Sequence, residues 1–183
     1  MIDGLLANET RPRCDSYADG ILLNLRGVNL HPGAEPEDMV SIRLWVDEHR
    51  VISTRLRRLM AVEDVREQLA AGKGPISTGH LVARVSARLT ERMAPVIEDL
   101  TDQVADLEDR LIEDDGGGQL DLRAVRHKLN GVRRVAIALR RYIAPQREAL
   151  NRMSQLEEVW LEDRVRGRLK TACEGACAKR WTA

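Results

Sequence analysis

Asp99, Asp102 and Asp106 recur at intervals of three and four. On an α-helix that spacing stacks three carboxylates on one face, an arrangement suited to hard or hydrated cations. The plainer reading is a solvated acidic face paired with a basic neighbour. Cys173 and Cys177 stand four apart, so on a helix they would share a face and could take a soft ion such as zinc, but no histidine stands near to complete a set of three or four ligands. His31, His49, His80 and His127 are scattered over turns and helices and read as separate surface residues. "GKGP" at 72–75 lacks the spacing of a phosphate-binding loop and follows a helical pattern, so it reads as a helix end and linker. Neither a Ser-His-Asp elbow, nor an H-x-x-x-H pair, nor a dinucleotide fingerprint is found. No enzyme, no catalytic residue and no required cofactor is expected, and no individual metal ligand can be assigned.

The elements that must carry these residues are built from a polar, aromatic-poor chain. Of 183 residues, 32% are charged, 29 basic against 29 acidic, and only 3% are aromatic, with no phenylalanine. Balanced charge argues against a global positive field for nucleic acid, and the arginine-rich stretch has no interleaved aromatics on which bases could stack. No nucleic-acid partner is expected. Cys14, Cys173 and Cys177 are too few and too unevenly spaced for a disulfide framework and read as reduced thiols. The apolar runs fall short of the roughly 18 residues that a membrane-spanning helix needs, and no leader is visible, so the sequence as given is expected to be soluble.

The pattern changes along the chain. Residues 20–58 alternate: "GILLNLRGVNL" reads as a strand closed by the turn-forming "HPGAEPED", and "SIRLWV" places Ile42, Leu44 and Val46 on one face against Arg43, Trp45 and Asp47 on the other. "DEHR" reads as a hairpin connection returning through Val51–Thr54, giving at least three strands with one apolar face for helices to cover. Leu59, Val62, Val65, Gln68 and Leu69 follow helical spacing, and Gly72, Gly74 and Pro75 end that helix. Ser77 or Thr78 can cap the next one.

From there Leu81, Val85, Leu89 and Met93 lead into a four-three rhythm through Ile97, Leu100, Val104, Leu107 and Leu111, broken by "DDGGGQ" and resumed from Leu122 through Val132, Leu139, Gln146, Leu150 and Met153. One seam on two segments joined at a triple glycine predicts an antiparallel helical hairpin. The stretch 91–115 is strongly acidic and 121–152 strongly basic, which is expected to favour pairing of the two arms. Pro95 and Pro145 interrupt the arms at nearly the same depth, so the pair is expected to bend at one level, unless the prolines mark helix ends. A last helix is expected from "QLEEVWLEDRV" onward, with Val159, Leu161 and Leu169 apolar. The expected organisation is α+β: an α/β part over 1–75 with a small mixed or antiparallel sheet covered by helices, a long antiparallel hairpin over 76–155, and the start of a stalk-like helix over 156–183 with an atypical tail.

"ETRPR", "GILLNLRGVNLHPGAEPEDMVSIRLW", "GKGP" and "LRRYIAPQREALNRM" together resemble the cytoplasmic part of zinc-transporting members of the CorA-like family of metal-ion transporters, over roughly residues 5 to 165. The resemblance implies a sheet layered between helices, with long arms beside it and a stalk leading to two membrane helices. It also implies a homopentamer around a central funnel that carries divalent cations, Zn²⁺ the expected ion, across the inner membrane. This part would lie on the cytoplasmic side and meet the membrane only through helices further on. The family's initial strand-and-helix portion, long stalk, membrane pair and Gly-Met-Asn signature do not occur in this sequence, which is therefore expected to be truncated at both ends and unable to transport by itself. The leading expectation is a cytoplasmic domain that senses or steers cations and helps assembly; the alternative is a soluble helical scaffold without a transport role.

Overall fold

The computed structural model describes Leu5, residues 11–113 and residues 121–175. Among these residues the strands are β1 (Arg13–Tyr17), β2 (Gly20–Gly27), β3 (Val40–Val46) and β4 (Val51–Thr54). They form one sheet in the order β1-β2-β3-β4, antiparallel at every junction. Four helices follow: α1 (Met60–Ala70), α2 (Thr78–Glu113), α3 (Leu122–Gln155) and α4 (Asp163–Gly175).

Short connections set the strand register. Tyr17 lies opposite Gly20 across a two-residue turn, and Val46 opposite Val51 across Asp47–Arg50. Asp47 organises the second turn: its Oδ1 accepts from the amides of His49 and Arg50, both at 2.9 Å, while its own amide donates to the Arg50 carbonyl at 3.0 Å. That is the "DEHR" hairpin read from the sequence. β1 is an additional strand that the sequence did not announce.

The apolar face of the sheet meets the helices. Ile21, Leu23 and Leu25 of β2 with Ile42, Leu44 and Val46 of β3 pack into one buried cluster with residues from all four helices, among them Val65, Leu89, Leu150 and Leu169. Burying each such aliphatic side chain stabilises the fold by about 1.5–3 kcal/mol. Gly27 allows α2 to come this close, because a Cβ there would sit 2.6 Å from Leu89 Cδ2 and 2.8 Å from Leu59 Cδ1.

The opposite face is buried too, although Arg43 and Trp45 marked it in the sequence as the polar side. Leu22, Asn24, Arg43 and Trp45 are all buried, and Leu5 packs on Leu22 and Trp45. The Leu5 carbonyl accepts from Thr54 Oγ1 at 2.8 Å, fixing this cover to β4. Burial, and then the charge of Arg26, lower the pKa of the Arg43 guanidinium.

α2 and α3 are the arms of the hairpin. Met93, Ile97 and Leu100 share a second buried cluster with Val132 and Leu139, and the loop residues Val28 and Met39 close its base. Both prolines lie inside these helices rather than at their ends. Each leaves the carbonyl four residues earlier, Glu91 or Arg141, without its intrahelical donor. The triple-glycine connection lies outside the described residues. Burial along the seam is graded: Leu111, Leu122 and Leu129 near the tip are 48%, 57% and 47% exposed. Among the described residues, none from the sheet or its loops is buried with the pair there, and two helices alone leave part of a heptad seam open to water.

The last helix begins later than the sequence pattern suggests. Leu156 is extended, a turn follows, and α4 starts at Asp163, so Val159 is 97% exposed instead of packed. Arg166 holds this turn through the carbonyls of Ser154, Leu156 and Glu158. Leu161, Val165 and Leu169 then return to the core.

Candidate functional site

The charged faces of the hairpin are the only extended chemistry the sequence put forward, and the two helices position them. α2 starts at Ser77, whose Oγ accepts from the His80 amide at 3.3 Å and lies 2.8 Å from His80 Nδ1. α3 starts at Asp121, whose Oδ1 accepts from the amides of Arg123 and Ala124 at 2.9 and 3.3 Å. From these caps each helix runs for more than thirty residues, which carries a short sequence repeat into a long stripe.

Asp99, Asp102 and Asp106 are all exposed on α2, as the spacing required, and Asp99 accepts from Gln103 Nε2 at 2.7 Å. Arg126, Arg133, Arg134, Arg140 and Arg141 are likewise exposed on α3. The expected rungs between the arms do not form: among the described residues, no ion pair joins these carboxylates to these guanidiniums. The charged stripes lie on the outside of the hairpin, while the contact between the arms is apolar.

The strong ion pair of this region is a different one. Arg92 on α2 grips Asp64 on α1 through Nε–Oδ2 at 2.7 Å and Nη2–Oδ1 at 2.5 Å, and hydrogen bonding from Arg92 lowers the Asp64 pKa. Twenty-eight residues separate the two, so no local spacing in the sequence could have revealed the pair. Gln146 was legible only as a seam position. Its buried Oε1 accepts from the Arg26 amide at 2.6 Å, tying α3 to the end of β2, and Arg26 also stacks on Tyr142 at 4.2 Å.

The remaining candidates stay apart. His31 Nε2 lies 3.0 Å from the Arg58 carbonyl, His49 is exposed in the hairpin turn, His80 is buried at the start of α2, and His127 is exposed on α3. Cys173 Sγ donates to the Arg147 carbonyl at 3.5 Å; Cys177 lies outside the described residues. Among the described residues, no three His, Cys, Asp or Glu side chains group so as to hold a metal ion. A cavity of about 590 Å³ opens between β3, β4, α1 and α2, with apolar walls that include Ile42, Leu44, Val65 and Val85. Arg55, on its rim, is paired with Glu63 at 2.8 Å. Such a lining offers packing surface and no nucleophile–base pair.

A sheet closed by a long helical hairpin, with charge on the hairpin's outer faces, is the geometry against which known proteins can be compared. The profile of the family described as CorA-like Mg2+ transporter protein matches residues 1–174. This chain belongs to the CorA-like family. The divalent cation transporter CmaX of Pseudomonas aeruginosa is 45% identical over 159 residues, covering 86% of this chain and 46% of that protein. The zinc transport protein ZntB of Yersinia enterocolitica is 34% identical over 174 residues, covering 94% of this chain and 50% of that protein. The crystal structure of the ZntB cytoplasmic domain from Vibrio parahaemolyticus superposes with a TM-score of 0.78 at 25% identity, covering 96% of this chain and 70% of that one.

The chain thus spans about half the length of the curated CorA-like relatives it matches. Its α+β architecture is that of a CorA-like cytoplasmic domain. Among the described residues, no helix is long and apolar enough to cross a membrane.

Proposed function

We propose that this chain forms the cytoplasmic portion of an inner-membrane transporter of divalent cations, Zn²⁺ foremost, in which it senses or steers the ion and contributes to assembly of a homo-oligomer, a pentamer in the whole protein. The observation that carries this reading is the 45% identity with the cation transporter CmaX across 86% of the chain, reinforced by the similarity to ZntB. The chemistry of the surface is compatible with it. The exposed carboxylates of α2 form a stripe that raises the local concentration of cations without dehydrating them, as weak and exchangeable attraction requires. In this reading no residue has a catalytic role, because moving an ion needs attraction and release, not a bond made or broken.

Calorimetric titration of the 183-residue chain with Zn²⁺ tests the steering role. Steering predicts association that is measurable at low ionic strength and declines as salt shortens the Debye length from about 30 Å at 0.01 M to about 10 Å at 0.1 M. Absence of any heat at low salt would remove the steering role from this part of the protein.

A further inference from the structure

The cavity between β3, β4, α1 and α2 has two kinds of wall. Its buried part is apolar, made by Ile42 and Leu44 of β3, Val65 of α1, and Val82 and Val85 of α2. Its volume of about 590 Å³ falls within the roughly 300–1,000 Å³ of small-molecule sites. Arg55 and Arg66 also line it, and no acidic residue does.

These arginines carry more positive charge than their surroundings answer. Glu63 of α1 is shared by three guanidiniums, at 2.8 Å from Arg55, 3.2 Å from Arg66 and 3.8 Å from Arg58. One carboxylate cannot neutralise three cations, so positive charge is left over beside the cavity. Arg55 shows the shortfall directly. Its Nη2 donates to Glu63 Oε1, but its Nη1 is buried and has no hydrogen-bond partner among the described residues. A buried donor without an acceptor is costly, and an anion that supplies the acceptor forms a charge-assisted bond in its place.

The lining selects its ligand by chemistry. Guanidiniums repel cations, so the cavity is no metal site. No aromatic ring lines it to stack a nucleobase, and its apolar walls leave the hydroxyls of a sugar without partners. A molecule with one anionic end and an apolar body suits both kinds of wall. We propose that this cavity binds a medium-chain fatty carboxylate, its oxygens accepting from Arg55 at the rim and its alkyl chain lying against Ile42, Leu44 and Val65. Such binding goes beyond the cation-transport reading and is independent of it.

Calorimetric titration of the 183-residue chain with decanoate, below its micelle concentration and with a chelator present, tests the site. Saturable binding of one decanoate per chain is expected. Octanoate, shorter by two methylenes, should bind about ten-fold more weakly. Decanol, which keeps the chain and lacks the charge, should also bind at least about ten-fold more weakly. Arg55→Met should bring decanoate down to the affinity of decanol. Ser53 lies opposite Leu44 in the β3–β4 ladder, lines the cavity and is exposed, so Ser53→Phe fills the opening without disturbing the core. That variant should weaken both ligands, and circular dichroism checks that each variant is folded. If Arg55→Met does not fold, the decanoate–decanol difference and Ser53→Phe decide the matter. The site is overturned if decanoate does not saturate, if decanol binds as tightly as decanoate, if folded Arg55→Met binds decanoate unchanged, or if Ser53→Phe leaves the affinity as it was.

Discussion

Arg92 and Asp64 bolt the hairpin to the sheet domain: the guanidinium of α2 meets the carboxylate of α1 at 2.7 and 2.5 Å, with both side chains largely removed from solvent. The pair sits just before α2 leaves the sheet, where the two clusters of buried side chains meet. Asp64→Asn should lower stability by about 1 kcal/mol, a value kept small because both groups retain some solvent. The pH dependence follows from the lowered pKa of Asp64. The carboxylate's contribution is complete above its unfolded value of about 3.9 and is lost as pH falls through the lower folded value. Denaturant midpoints at neutral pH and in acid should therefore differ between the two proteins at neutral pH and converge in acid.

Equal positions in a repeat need not carry equal weight. Leu139 is fully buried and Leu129 is 47% exposed, although both occupy the seam of α3. Leu139→Ala should cost about 2–5 kcal/mol in the unfolding free energy, and Leu129→Ala less than about 1 kcal/mol. Similar losses at both sites would mean that the tip of the hairpin is packed as tightly as its base.

This gradient shows where the sequence was readable. The hairpin was legible because a four-three rhythm on both sides of a glycine run has few other physical solutions, and the β3–β4 hairpin because alternation changes sign around Asp47–Arg50. β1 was hidden: Arg13, Asp15 and Ser16 give no apolar alternation, and only Cys14 faces the core. The second covered face of the sheet was hidden for the opposite reason, since Asn24 and Arg43 look solvent-bound until Leu5 is seen against Leu22 and Trp45. The acidic and basic arms were visible as charge, but the sequence alone could not tell an inward-facing stripe from an outward-facing one. That took the seam's observed burial. The Arg92–Asp64 pair, formed across twenty-eight residues, left no local signal.

Gln146 holds a polar position in an apolar seam for the sake of one amide. Gln146→Leu preserves volume but leaves the part-buried Arg26 N–H without its acceptor at 2.6 Å, at a cost of about 1–3 kcal/mol. Hydrogen exchange at the Arg26 amide should accelerate beyond the change seen at other β2 amides. Exchange that rises uniformly across β2 would indicate general loosening instead.

Cys14 is protected twice, by burial and by protonation. Burial raises its pKa from 9.0 to about 11, against an opposing influence of Arg152 and with a smaller rise from Asp15. In the folded chain the thiol should resist alkylation at pH 9 and react once denaturant is added. The same shift means that stability is undiminished below the unfolded thiol's pKa and declines as pH rises from there toward about 11.

The most direct test of the account replaces the matching 159-residue stretch of full-length CmaX with this chain's own residues and measures divalent-cation flux into vesicles. A chimera that reaches the membrane and retains flux, diminished when Asp99, Asp102 and Asp106 are changed to lysine, is the predicted result. A chimera that inserts and assembles normally yet passes no cation would contradict the assignment of this chain as the cytoplasmic portion of a cation transporter.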